Sequence, residues 1–164
     1  MNLFILDENI KKSVSYYCDK HIVKMILESA QMLCTVQRLY HNDNPLLYKS
    51  THINHPCVKW CSQSVNNYNY LLIYWIEMNK EYSRRYNKIH KSYIKLIDVL
   101  SILPEIKERE FTLPPSVMPK EFLIYDVPTN LEEVVQNYRN YYSKEKIKIA
   151  SWNHNTSKPY WILS

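Results

Sequence analysis

Between His21 and Arg38 the chain sets His21, Lys24, Glu28, Gln31, Thr35 and Arg38 at intervals of three or four residues. On a helix advancing about 100° per residue, these six fall in a sector about 60° wide. Imidazole and carboxylate groups move protons, and lysine and arginine grip phosphate. Glu28 and His21 are therefore candidate acid–base groups, with Lys24 and Gln31 as candidate ligand contacts. His21 and Glu28 stand about 10 Å apart along the axis, too far to pair directly but able to serve opposite ends of a ligand. Helical spacing alone also produces such a strip, with Lys24 paired to Glu28 and Glu28 to Gln31 in solvent. Both readings stay open at this level.

Two basic runs add ligand candidates. Arg84-Arg85-Tyr86-Asn87-Lys88-Ile89-His90-Lys91 interleaves cations with aromatics. Its arginines can each grip a phosphate bidentately, and Tyr82, Tyr86 or Tyr93 could stack on a base. Arg84, Arg85, His90 and Lys91 are the candidates here, set against the plain alternative of a solvated helix end. In the second run Arg139, Tyr142 and Lys146 share one helical face.

His52, His55, Cys57 and Cys61 lie within ten residues, yet neither cysteine pair has the two-residue gap common in zinc frameworks. No metal is expected. His55 instead caps a helix opening at Pro56 or lines the slot, and Cys57 and Cys61 read as buried small hydrophobes. The chain contains no glycine, where average usage would supply about eleven. Glycine-rich phosphate loops and dinucleotide fingerprints are excluded in ordinary form, and with them the cofactors they hold. An anionic ligand must be held by side chains. No nucleophile elbow or paired-aspartate motif is present.

The elements that must position these groups read as helices. Residues 3–6 form a short apolar run, either a minor strand or a segment tucked into the core, and Asp7 can cap a helix to about Tyr17. Asp19 is an N-cap candidate for a helix to about Tyr40, apolar around most of its girth and hence enclosed by protein on most sides. Pro56 suits the first turn of a second long helix running past Trp75 and Met78 as far as Tyr86. A further helix spans Lys91 to Leu103, before Pro104. Prolines crowd residues 104–128, which read as a long ordered loop wrapping the core and able to act as a lid. Thr129-Asn130-Leu131-Glu132 has capping-box form and opens a last helix to about Ile149. The tail, with Trp152, Pro159, Tyr160 and Trp161, should dock on the body. Where a left-handed cap is needed, Asn is the expected substitute for glycine. The expected architecture is all-α, one compact domain of about five helices around the helix from residue 19.

The chain has 164 residues and a formal net charge of +5, which favours anionic partners without marking a nucleic-acid-binding arm. No apolar run reaches the roughly 18 residues of a membrane span. Four dispersed cysteines read as free thiols in a soluble intracellular protein. Fifteen tyrosines against three phenylalanines suggest rings whose polar tips are in use, and tyrosine-rich surfaces would suit a homodimer.

The stretches Asp19-Lys20-His21-Ile22-Val23-Lys24-Met25-Ile26-Leu27-Glu28-Ser29-Ala30-Gln31, Asn54-His55-Pro56-Cys57 with Trp60, Arg85-Tyr86 with His90-Lys91-Ser92, and Tyr138-Arg139 with Tyr141-Tyr142 and Glu145-Lys146 resemble a family of small proteins encoded by large DNA bacteriophages. The resemblance spans nearly the whole chain. It implies a viral origin and expression in the cytoplasm of an infected host cell, and it transfers no catalytic residue. The tasks it suggests are nucleotide metabolism, DNA modification or repair, and neutralising host defences. The leading expectation is a binding protein that holds a phosphorylated nucleotide or related small anion, sequestering a nucleotide immune signal. The alternative is an enzyme on nucleotides or DNA bases, hydrolase or glycosylase-like, with Glu28 and His21 as acid–base groups. A nucleic-acid-binding module is the third reading.

Overall fold

A computed structural model describes residues 1–162. Six α-helices lie among them: α1 (Ile10–Ser15), α2 (Asp19–Leu39), α3 (Pro56–Gln63), α4 (Val65–Tyr86), α5 (Lys91–Leu100) and α6 (Leu131–Lys144). Single 3-10 turns occur at Lys120–Phe122 and Lys146–Ile149. The architecture is all-α, with one helix more than expected and no strand among the described residues.

Helix α2 packs against α3, α4 and α5, and its buried residues Ile22, Met25, Ile26, Ala30, Met32, Leu33 and Val36 form the middle of the core. The anticipated helix from Pro56 to Tyr86 is two helices. Ser64 takes an extended backbone (φ −146°, ψ 145°) and accepts the Asn66 amide, so it ends α3 and caps α4. Helix α1 starts two residues later than expected, with Asn9 as its cap, while Asp7 accepts the Asn9 amide. The capping box before α6 is shifted by one position. Asn130 accepts the Glu133 amide, and the Glu133 carboxylate reaches back to the Thr129 amide.

Asn87 ends α4 in the left-handed conformation at φ 51°, as a chain without glycine requires. His41, His52, His154 and Asn155 take the remaining positive-φ positions among the described residues. Many tyrosines use their hydroxyls inside the core rather than at wet pockets. Tyr17, Tyr68, Tyr74, Tyr138 and Tyr142 are all buried and all hydrogen-bonded.

The apolar run Leu3–Leu6 is buried and has no partner strand, so side chains satisfy its backbone. The Phe4 carbonyl accepts the Tyr17 hydroxyl at 2.6 Å, and the Leu6 carbonyl accepts Arg139 Nε at 2.7 Å. The Leu6 amide donates to Ser13 Oγ at 2.7 Å. Burial of these backbone groups without partners would cost about 1–3 kcal/mol each, so the side-chain set fixes the path of the segment.

Residues 104–128 wrap the core as expected, pinned by asparagines. Asn67 accepts the Thr112 amide. Asn137 accepts the Ile124 and Tyr125 amides and donates to the Tyr125 carbonyl and Ser116 Oγ. The tail docks through Trp152, which donates to the Tyr16 carbonyl, and through Trp161 against Tyr16 and Tyr142. Tyr160 instead stays exposed.

Candidate functional site

A cavity of about 500 Å³ opens where four parts of the chain meet. The N-terminal run contributes Met1, Asn2 and Phe4, and α2 contributes Lys20, His21, Lys24, Met25 and Glu28. The wrapping loop adds Val117, Met118 and Pro119, and the end of α6 and the turn after it add Tyr141, Lys146 and Ile149.

At its acidic point, Glu28 Oε2 lies 3.2 Å from the Met1 amine and Oε1 lies 3.2 Å from Lys24 Nζ. The Met1 side chain is 3% exposed and that of Glu28 13%, so the first ion pair is withdrawn from bulk water, whereas Lys24 reaches into it. Asn2 fixes this end of the chain. Its amide donates to the Val117 carbonyl at 2.7 Å, and its Oδ1 accepts the Leu3 amide and lies 2.8 Å from the Tyr138 hydroxyl.

His21 is buried against Phe4, and its Nδ1 lies 2.8 Å from the Tyr142 hydroxyl, which accepts the Cys18 amide at 3.0 Å. Burial pushes the imidazole down to about 3, and Lys146, Lys24 and Lys20 push the same way. The ring is therefore neutral at physiological pH. It is a poor proton donor in the imidazolium sense, and its part is to form the wall.

Lys20, Lys24 and Lys146 make the rim cationic, with Lys146 Nζ 4.6 Å from the Tyr141 ring centroid. Met25, Val117, Met118 and Ile149 give the opposite side an apolar lining. Phosphate at the rim and an unsaturated or apolar group within is the ligand chemistry this arrangement suits.

The polar stripe on α2 divides in two. His21, Lys24 and Glu28 face the cavity, and Gln31 lies one turn on, half-buried and outside the lining. Thr35 is buried against the backbone of Thr51, and Arg38 donates to the Tyr48 and Leu47 carbonyls, so both are structural. The solvent-facing sector of α2 is Lys20, Val23, Lys24 and Leu27, which shares only Lys24 with the stripe, with Val23 41% and Leu27 40% exposed.

The basic run of α4 is corrected as a ligand site. Arg85 has no side-chain exposure and is bound to Glu81 at 2.7 Å and Asp19 at 3.2 Å, which leaves no free face for phosphate. Arg84 is paired with Glu81 at 2.6 Å. His90 caps α5 by accepting the Ser92 amide, and burial lowers its pKa. Lys91 is exposed in the first turn of α5.

Arg139 is likewise spent, on the Leu6 carbonyl and on Asp7 at 3.0 Å. Tyr142 reaches the cavity only through His21, and of the three candidates in this run Lys146 alone lines it, beside Tyr141. Cys57 and Cys61 are buried free thiols. Burial pushes Cys57 up to about 12.

His55 belongs with the cavity although it stands behind it. Its Nδ1 accepts the Cys57 amide at 3.2 Å as the cap of α3. Burial holds the ring below its ordinary range, and the Met1 ammonium and His52 push the same way. A hydrogen bond to the Met1 backbone and the Glu28 carboxylate oppose them.

Sequence reasoning missed the Met1 amine, Phe4, Lys20, Tyr141 and the loop wall at Val117 and Met118. The signal for the first two was the apolar run itself, since burying residues 3–6 carries the preceding residue inside.

The model of the pyrimidine dimer DNA glycosylase family matches residues 1–94 of the chain. The chain belongs to that family. The matched span takes in the N-terminal run and helices α1 to α4, and with them Met1, Lys24, Glu28 and His55. No curated protein and no solved structure matches the chain. Membership in a glycosylase family favours the enzyme acting on DNA bases over the nucleotide-binding reading, and nothing supports sequestration of a nucleotide signal. A family of this kind fits a nucleic-acid partner. No helix among the described residues is long and apolar enough to cross a membrane.

Proposed function

We propose that the cavity excises damaged pyrimidines from DNA, with the Met1 amine as nucleophile and Glu28 as the group that manages its proton. The single observation that carries this reading is the amine placed 3.2 Å from a largely buried carboxylate, in a chain of a pyrimidine dimer DNA glycosylase family. An amine is a weak nucleophile while protonated, and an adjacent base activates it. Glu28 takes the ammonium proton. The freed nitrogen forms a bond to C1′ of the damaged nucleotide as the glycosidic C1′–N bond breaks, and its electron pair leaves with the base. Glu28 returns its proton to the departing base, and the attached nitrogen gives up a proton to the ring oxygen as the C1′–O4′ bond opens, which leaves an imine joining protein and DNA.

The remaining residues position the substrate. Lys20, Lys24 and Lys146 lie where backbone phosphates flanking the lesion would sit. Enzymes that act on a base inside a duplex extrude the nucleotide first, and a dimerised pyrimidine that stacks and pairs poorly is cheaper to extrude than an intact one. The cavity volume of about 500 Å³ is within the range of small-ligand sites. The flat His21–Phe4 pair and the Met25–Met118 side offer the apolar surface an extruded group would meet.

The test is incubation with an ultraviolet-irradiated duplex and sodium borohydride. The expected result is a covalent protein–DNA adduct whose digest maps the link to Met1. Unchanged DNA and no adduct on irradiated duplex, with folded protein, would sink the reading.

A further inference from the structure

The Asn54-His55-Pro56-Cys57 stretch lies outside the cavity lining, yet its side chains hold the backbone of the residues that carry the amine. We propose that His55 is a positioning residue that fixes the Met1 amine against Glu28, by capping α3 with one ring nitrogen and holding the Met1 carbonyl with the other. The inference rests on the excision reading for its consequence and on the geometry for its content.

His55 sits at the N-cap of α3 with an extended backbone, φ −65° and ψ 136°, and Pro56 opens the helix behind it. Because Nδ1 accepts the Cys57 amide, it carries no proton. The neutral ring then has its hydrogen on Nε2, and only that nitrogen can donate. Its partner is the Met1 backbone, whose sole acceptor is the carbonyl oxygen. Two residues further, the Cys57 thiol hydrogen-bonds the Leu3 backbone. The first turn of α3 thus grips the N-terminal run at two places two residues apart.

The grip acts on the amine because the packed Met1 side chain leaves the backbone torsion that carries the nitrogen to be set by the carbonyl. Asn2 is anchored to Val117 and Tyr138, which leaves ψ of Met1 as the backbone torsion that moves the amine. Glu28 attracts the ammonium without defining its direction, since Lys24 competes for the same carboxylate. A donor on the carbonyl fixes the peptide plane, and with the side chain packed this narrows ψ and so the approach of the nitrogen. Effective molarity is lost steeply with misplacement of about 1 Å.

Two variants separate positioning from capping. His55→Asn keeps an excellent helix cap but is too short to reach Met1. His55→Gln places an amide N–H near the position of Nε2 while capping poorly. Two readouts are taken on each, with thermal unfolding as a control for folding. One is the rate at which the α-amine is acylated by a succinimidyl ester, read by intact mass and peptide mapping. The other is borohydride trapping on irradiated DNA.

The expected result is that His55→Asn melts near the parent, labels severalfold faster at the α-amine and traps about 10²-fold more slowly, with DNA affinity unchanged. His55→Gln should keep slow labelling and recover trapping despite a lower melting temperature. A His55→Asn protein that labels like the parent overturns the inference, and so does a Gln variant no better than Asn. A parent protein that traps no DNA overturns the excision reading alone, because the labelling comparison still decides the role of His55.

Discussion

The His21 ring lies flat on the Phe4 ring, with centroids 4.6 Å apart and planes 12° from parallel. This contact ties the N-terminal run to the first turn of α2 and closes the back of the cavity. It also dictates how the ring titrates. A stacked, buried imidazole facing Lys20, Lys24 and Lys146 resists a proton, and its pKa falls to about 3.

Stability should therefore depend on acid through this residue. The folded-state pKa is depressed, so the contribution is complete above about pH 6.5 and is lost as pH falls toward 3, because the unfolded chain alone takes up the proton. The slope for one such group is about 1.4 kcal/mol per pH unit. Denaturant unfolding of the parent and of His21→Gln between pH 7 and pH 4.5 checks this, since the difference between them isolates His21. Parallel pH dependences would contradict it.

Glu28→Gln keeps the shape of the cavity and removes the base. Trapping and glycosidic-bond cleavage on irradiated DNA should fall by about 10²- to 10⁴-fold, while binding measured by fluorescence anisotropy changes little. A variant that turns over at the parental rate would remove Glu28 from the chemistry.

The rim lysines should show themselves through salt. Each of Lys20→Ala, Lys24→Ala and Lys146→Ala is expected to lower the slope of log affinity against log salt by about 0.9 on duplex DNA, one phosphate contact each. Titrations from low to moderate salt read this directly.

Arg85 makes the opposite case. Arg85→Met leaves the Asp19 carboxylate without its cation and Glu81 with Arg84 alone, and should cost about 3–5 kcal/mol in chemical denaturation. The salt slope for DNA should stay at the parental value, because the guanidinium is committed inside the protein.

Asn137 holds the wrapping loop through four hydrogen bonds. Asn137→Ala should cost about 2 kcal/mol or more and raise KM more than it lowers kcat, because the Val117–Met118 wall loses its support while Met1 and Glu28 keep theirs. Steady-state kinetics on a lesion-bearing oligonucleotide distinguish the two effects.

Helix periods, caps and prolines made the all-α architecture legible, down to Asn87 standing where glycine usually would. The break at Ser64 was not legible, because the apolar pattern runs straight through it and only the local capping bond ends the helix. The upper half of the α2 stripe was readable as a site, since His21, Lys24 and Glu28 must share a face. What they face was not readable, because the amine, the Met118 wall and Lys146 come from distant parts of the chain. The arginines misled for a related reason. A sequence shows a cation and hides its partner: Asp7 and Asp19 neutralise Arg139 and Arg85 across gaps that periodicity does not register, while Glu81 takes Arg84 and Arg85 at ordinary helical spacing.

Asp19 accepts from Arg85, Ser151, Asn153 Nδ2 and the Asn153 amide, and its own amide donates to the Ser151 carbonyl. One carboxylate thereby latches the tail to the residue that begins α2, immediately before Lys20 and His21. The first turn of α2 and the tail at residues 151–153 are consequently one unit of local opening, and their amides should exchange with solvent at a common rate rather than fray independently.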